Sequence, residues 1–177
     1  MTGITALDLC AAPGGKTMQL AAGGAKVTAV DQSARRLESL NDNLKRTKLE
    51  AIVIQDDVRT FKPNQQFDVV LLDAPCTATG TIRRHPDVMW WKTEESLDAL
   101  VALQSKLIDH AIAFVKPGGI LVYCTCSLQP EEGEKQVEGA LKRRRKLTKL
   151  EVDPGVLGPF SSAVRDGATI RTTPAML

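Results

Sequence analysis

The sequence predicts an α/β fold, a mostly parallel sheet covered by helices on both faces, and two observations carry that expectation. Short aliphatic and β-branched runs alternate with longer amphipathic patterns along the chain. At 177 residues, 43% of them hydrophobic and 25% charged, there is enough apolar material for one domain with a core of its own.

Taken in order, the strands are "ITALDLC" (4 to 10), "AKVTAV" (25 to 30), "EAIVIQ" (50 to 55), "FDVVLL" (67 to 72) and "GILVYCT" (119 to 125), with a weaker sixth at "LTKLEV" (147 to 152). Each is bounded by turn residues. A polar amphipathic helix is expected over 33 to 46, and a longer one over 94 to 115 with Leu97, Leu100, Val101, Leu107, Ile108, Ala111 and Val115 on one stripe. Thr93 can cap the longer helix, Glu94 and Glu95 suit its first turn, and "KPGG" (116 to 119) ends it. From Asp153 on, the chain is rich in Gly, Pro, Ser and Thr without periodicity, so an irregular tail is expected.

The apolar runs are too short to cross a bilayer, and the N-terminus lacks the pattern of a signal peptide, so the expected setting is the cytoplasm. Four cysteines, Cys10, Cys76, Cys124 and Cys126, are too few for a disulfide scaffold and are read as thiols. A net charge of +2 announces no nucleic-acid binder by itself. Only local clusters could.

The first strand runs into "CAAPGGKT" (10 to 17), where small residues and glycines open a helix. In open α/β sheets the ligand crevice lies at the carboxyl ends of the strands, and glycine lets the backbone approach a bound molecule. A tight turn with no ligand would look the same. The spacing matches neither the dinucleotide G-x-G-x-x-G nor the P-loop pattern. Three further strand ends supply acids: Asp31, placed to accept bonds from ribose hydroxyls, Asp57, placed to face an adenine amino group, and Asp73 at the crevice mouth. Singly each is a solvated strand end. Together with the glycine turn they describe a pocket for a nucleoside-bearing cofactor that needs no phosphate grip.

Two cysteine stretches follow the fourth and fifth strands, "LLDAPCTATGTIRRHPDVMWW" (71 to 91) and "ILVYCTCSLQP" (120 to 130). Adjacent central strands would deliver Cys76 and Cys126 to the same sheet edge beside the crevice. Cys10 and Cys124 read better as small core hydrophobes. No metal site is expected, because C-x-C is not a zinc knuckle and His85 and His110 lie far from ligand spacing. After Cys76 come Arg83, Arg84, His85, Trp90, Trp91 and Lys92, a set that suits single-stranded RNA or, equally, a surface loop anchored by its tryptophans. The run "KRRRK" (142 to 146) is better read as a solvated helix end than as an RNA patch.

"LDLCAAPGGKT", "VDQSARRL", "DAPCTATGTIRRHPD" and "YCTCSLQPEE" together resemble the ordered motifs of the RNA 5-methylcytosine methyltransferases of the Nop2/Sun family, most closely the bacterial branch that modifies small-subunit ribosomal RNA. The resemblance covers about residues 5 to 138 and implies the Rossmann-like fold of the S-adenosylmethionine-dependent methyltransferases. It implies that Cys10, Ala11, Ala12, Pro13, Gly14, Gly15 and Lys16 line the methionine and ribose side of S-adenosylmethionine, that Asp31 holds the ribose and Asp57 the adenine, and that Asp73 lies between cofactor and target base. It further implies that Cys126 is the nucleophile and that Cys76 releases the methylated product. Arg83, Arg84, His85, Trp90 and Lys92 would then contact RNA, expected to be 16S ribosomal RNA.

Carbon 5 of cytosine is a poor nucleophile, so a thiolate adds to carbon 6 first, and the resulting enamine attacks the sulfonium methyl group. A second group then helps the adduct lose its carbon-5 proton and expel the thiolate. The target must be single-stranded or flipped out. Family members have a segment before the first strand and a closing "DGFF"-like strand beside the fifth, whereas this chain starts three residues before its first strand and stops at "IRTTPAML". A catalytic core shortened at both ends is therefore expected, with an open sheet edge that invites self-association. The competing readings are a cofactor-binding or RNA-binding fragment without turnover, a DNA cytosine methyltransferase using Cys76, and, more distantly, a dinucleotide-dependent oxidoreductase.

Overall fold

Five parallel strands need crossover connections, and the sequence supplies one between each pair. In the computed structural model, which describes residues 3–91, 93–173 and 176, the order is β1 (Thr5–Leu9), α1 (Gly15–Ala22), β2 (Lys26–Asp31), α2 (Ala34–Thr47), β3 (Ile52–Gln55), β4 (Phe67–Asp73), α3 (Val88–Trp91), α4 (Glu94–Ile112), β5 (Val115–Cys124), α5 (Glu134–Arg143), β6 (Val164–Arg165) and β7 (Thr169–Ile170). The chain falls into two compact units, Met1–Pro75 with Ala102–Thr125, and Cys76–Val101 with Cys126–Leu177.

The first unit holds a sheet in the order β3-β2-β1-β4-β5, with every neighbouring pair parallel. The chain winds outward from β1 to β3, then returns to the other side of β1 with β4, so the winding direction reverses between β1 and β4. That is where an open α/β sheet forms its ligand crevice. β1, β2 and β4 read as near-continuous apolar runs because both their faces are covered, and Ala6, Leu7, Leu9, Ala29, Val30, Val70 and Leu72 are fully buried. α2 starts at Ser33, whose Oγ accepts the Arg36 N–H (3.3 Å), and buries Leu37, Leu40 and Leu44 against Ala11, Ala12 and Ala29.

Two sequence expectations need correction. α4 ends at Ile112, and "KPGG" is not a break ahead of the strand but part of it: β5 begins at Val115, and its pairing with β4 shifts register between Phe67 and Val69. The extra residues form a bulge, held by Lys116 Nζ donating to Asp68 Oδ1 (2.8 Å). Gly119 lies so close to β4 that a Cβ there would stand 2.8 Å from the Asp68 carbonyl oxygen. Residues 147 to 152 also form no strand, because the segment finds no sheet partner.

β5 is a terminal strand of the five-stranded sheet, with Ile120 and Val122 exposed on it. In the second unit, Thr93 and Ser96 cap the start of α4 reciprocally, Thr93 Oγ1 accepting the Ser96 N–H (3.2 Å) and Ser96 Oγ the Thr93 N–H (3.0 Å). The tail winds through 3₁₀ turns over Pro154–Ala163 into the antiparallel hairpin β6-β7. Arg171 ties it down, donating to Glu134 Oε1 (2.5 Å) and the Leu128 carbonyl (2.6 Å). Among the described residues, no helix is long and apolar enough to cross a membrane.

Gly119→Ala is expected to cost about 1–3 kcal/mol, because its Cβ would meet the Asp68 and Lys116 carbonyl oxygens, backbone atoms that cannot swing away, as well as Val115 Cγ1. Gly15→Ala, whose Cβ meets nothing within 4 Å, should unfold at nearly the unmodified temperature. Thermal denaturation of both variants checks this.

Candidate functional site

In the first unit, the turn after β1 and the end of β4 enclose a cleft of about 360 Å³. Ala11, Ala12, Pro13, Gly15 and Lys16 form one side, Asp73 another, with Asp8 and Gln19 in the lining. The turn is tight, Gly14 N–H donating to the Ala11 carbonyl (2.8 Å), and Cys10 takes a left-handed conformation (φ 60). Gly14 is needed there for packing: its φ is +98, and a Cβ would stand 2.8 Å from Leu40 Cγ. Gly15 keeps the cleft open, since nothing would oppose a Cβ there except the cleft itself.

Asp31, expected to meet a ribose, is buried and engaged with its own loop. Its Oδ2 accepts the Ala12 N–H (3.1 Å) and its Oδ1 the Ser33 N–H (2.9 Å). Arg36 lies 3.4 Å from Asp31 Oδ2 and donates to the Ala12 carbonyl in a short contact. Asp31 thus shapes the cleft wall from behind. Asp57 likewise does not line the cleft; the Arg59 side chain and backbone donate to it and hold its carboxyl below the usual carboxylate range.

Asp73 does face the cleft and accepts from Lys16 Nζ (2.7 Å). Burial acts to lower the Lys16 pKa, but the hydrogen bond and charge of Asp73 outweigh it and hold the ammonium above its ordinary value. Asp8, which sequence reasoning passed over as a mid-strand residue, also reaches the cleft. Burial pushes its carboxyl up to about 6, against the Thr17 hydroxyl that donates to Oδ2 (2.5 Å), and Oδ1 is buried with no hydrogen-bond partner among the described residues. A further missed residue is Gln104, whose buried amide donates to the Pro75 carbonyl (2.9 Å) and fixes the end of the "DAP" segment.

The cysteines separate into two kinds. Burial, then the charges of Asp31 and Asp73, push the Cys10 thiol up to about 12, and burial with Asp73 does the same to Cys124. Cys124 Sγ lies 3.7 Å from the Leu72 carbonyl and 3.6 Å from Asp73 Oδ1, packed along its strand. Cys76 and Cys126, in the second unit, lie with their sulfurs 3.4 Å apart, and Cys126 is exposed. Two thiols 50 residues apart in sequence are thus brought into contact.

Arg83, Arg84 and His85 are exposed on a turn in which the Arg84 and His85 N–H groups both donate to the Thr81 carbonyl (2.8 and 2.9 Å). Trp90 is 85% exposed, so it does not anchor its loop to a core. Lys92 lies outside the described residues. Among the described residues, no group of three or more His, Cys, Asp or Glu could hold a metal ion. His110 instead bonds the Phe61 carbonyl (2.9 Å) and packs edge-on against Phe114.

Residues 2–175 match the family model described as 16S rRNA methyltransferase RsmB/F. The chain belongs to this family. It is 46% identical over 159 residues to ribosomal RNA small subunit methyltransferase B of Erwinia tasmaniensis, covering 85% of this chain and 37% of that protein. It is 49% identical over 146 residues to the protein of the same name from Cronobacter sakazakii, covering 80% and 34%. This RsmB/F chain therefore spans about a third of the length of the curated relatives it matches. Among solved structures it resembles NSun6 from Pyrococcus horikoshii with SFG (TM-score 0.76, 33% identity, 85% of this chain and 40% of that one). It also resembles a methyltransferase homolog protein from the same organism (TM-score 0.72, 36% identity, 85% and 49%). The RsmB/F chain has the Rossmann-like fold of the S-adenosylmethionine-dependent methyltransferases.

Two measurements follow from the site. With an Asp8 carboxyl raised to about 6, the group favours the folded state fully below pH 4, and that contribution is lost as pH rises through 6. Its loss amounts to about 3 kcal/mol at most. Urea unfolding at pH 4.5 and 7.5 should show this decline in the unmodified chain and a flatter profile in Asp8→Asn. With iodoacetamide at pH 8, a thiol titrating near 12 is ionised in only about one molecule in ten thousand, so Cys10 and Cys124 should stay unlabelled while Cys126 is modified. Peptide mapping reads the outcome.

Proposed function

We propose that this RsmB/F chain transfers a methyl group from S-adenosylmethionine to carbon 5 of a cytosine in 16S ribosomal RNA. The observation that carries the reading is the 3.4 Å approach of Cys76 and Cys126, two thiols 50 residues apart in sequence. The reaction needs two groups on one base: a nucleophile for carbon 6 and a partner for the elimination.

The cleft of the first unit fits the cofactor. Gly15 leaves its wall open, Asp8 offers a buried acceptor with no partner among the described residues, and the relatives include ribosomal RNA small subunit methyltransferase B and NSun6 with SFG, an analogue of S-adenosylmethionine. S-adenosylmethionine supplies a methyl group made electrophilic by the attached sulfonium. The chain's residues do the rest. Lys16 and Asp73 border the cleft as an ion pair. The Cys126 thiolate adds to carbon 6, and carbon 5 gains the methyl group. Cys76, its own proton released to water once the adduct has formed, takes the carbon-5 proton as the carbon–sulfur bond to Cys126 breaks, which restores the aromatic ring and frees the product.

On the RNA side, Arg83, Arg84 and His85 are exposed for phosphates and Trp90 for stacking on a base. Lys92 is proposed as a further member of this set.

The test is a denaturing gel with small-subunit ribosomal RNA and S-adenosylmethionine. Cys76→Ala should accumulate a covalent protein–RNA adduct, Cys126→Ala should form none, and the unmodified chain should turn over. Trapping through Cys76 alone would reverse the roles and weaken the RNA assignment. No adduct in any variant would leave a binding fragment.

A further inference from the structure

The turns that carry Cys76 and Cys126 are stitched together by a chain of hydrogen bonds that ends on a buried acid. Glu132 is 0% exposed, and both its oxygens accept from Thr77, the residue after Cys76. The Thr77 N–H lies 2.9 Å from Oε1 and 3.3 Å from Oε2, and the Thr77 hydroxyl makes a short bond to Oε2. Thr77 Oγ1 is 3.0 Å from Ser127 Oγ, and Ser127 Oγ is 3.1 Å from Thr79 Oγ1. Thr79 Oγ1 in turn accepts the Leu128 N–H (2.9 Å), and Ser127 Oγ accepts the Gln129 N–H (3.0 Å).

Each hydroxyl has one proton to give, and a carboxylate can only accept. With Thr77 committed to Glu132, the Thr77–Ser127 bond must be donated by Ser127, and the Ser127–Thr79 bond by Thr79. The protons therefore run in one direction, from Leu128 N–H through Thr79, Ser127 and Thr77 to Glu132. The chain crosses between the residues flanking the two thiols at every step. Gly80 completes the seam: its N–H donates to the Cys126 carbonyl (2.9 Å), and a Cβ there would stand 2.6 Å from that oxygen.

We infer that Glu132 is a positioning residue that sets the distance between the Cys76 and Cys126 sulfurs. Its value for methyl transfer rests on the proposed reading of those thiols as nucleophile and release group. A buried carboxyl group with fixed partners tolerates little displacement, so the turn after Cys76 cannot drift from the turn after Cys126 without stripping a buried acceptor of its hydrogen bonds.

The sulfur separation can be read without any methyl transfer. Equilibration of the chain in glutathione buffers of graded oxidised-to-reduced ratio, with mass spectrometry of the Cys76–Cys126 disulfide, gives the effective molarity of one thiol toward the other. Glu132→Ala should lower it at least tenfold. Thr77→Val, which keeps shape and N–H but ends the proton chain, should lower it at least threefold, and Thr77→Ser should restore it to within twofold. A role confined to stability would lower the melting temperature and leave these ratios unchanged. Effective molarities within twofold of the unmodified chain in both Glu132→Ala and Thr77→Val, with native circular dichroism, overturn the inference. If Glu132→Ala does not fold, the Thr77→Val and Thr77→Ser pair decides it alone. Shifted ratios in a chain that forms no RNA adduct would leave the clamp standing and overturn the function; adduct chemistry with unshifted ratios would do the reverse.

Discussion

The parallel register of β1 with β4 is the constraint on which the cofactor cleft depends. Leu9 pairs with Leu72, so the chain leaves both strands at the same level, one into the Cys10 turn and the other into Asp73. A slip of one residue would turn every side chain of one strand to the opposite face. It would bury Lys16 or strand Asp73, and the ion pair between them would be lost. The register is held in turn by packing, since the fully buried Leu7, Leu9, Val70 and Leu72 form one continuous apolar face across the pair.

Around that register the chain divides its acids by task. Asp31 and Asp57 bind backbone and arginine in their own loops, Asp68 anchors the β5 bulge, and Asp8 and Asp73 face the cleft. The thiols divide in the same way. Cys10 and Cys124 are kept protonated by burial and nearby negative charge, while Cys76 and Cys126 are brought together in the second unit. Reactivity therefore follows environment, with residue type common to all four.

Much of this was legible in the sequence because it is written in local patterns. Apolar runs gave the five strands, Ser33 and Thr93 the helix starts, and the "APC" and "TCS" motifs the thiol pair. The failures are non-local. "KPGG" reads as a helix stop, and only its pairing with β4 makes it a bulge. "LTKLEV" has strand composition, but a strand needs a partner. Asp31 and Asp57 stand at the expected strand ends, and what no spacing rule reports is that Ala12, Ser33 and Arg59 already donate to their oxygens. Glu132, in "PEEGE", looks like a solvated acid ahead of a helix, and nothing local announces its burial against Thr77.

Arg36 and Asp31 grip both sides of the Ala12 peptide unit, one taking up its carbonyl and the other its N–H. The wall of the cleft is thus tied down on both sides of Ala12 before anything enters it. A ligand meeting such a wall has little backbone entropy to quench, so its affinity is spent on contact rather than on ordering the protein. Speed of capture then depends on diffusion into an already shaped recess, without waiting for a loop to settle.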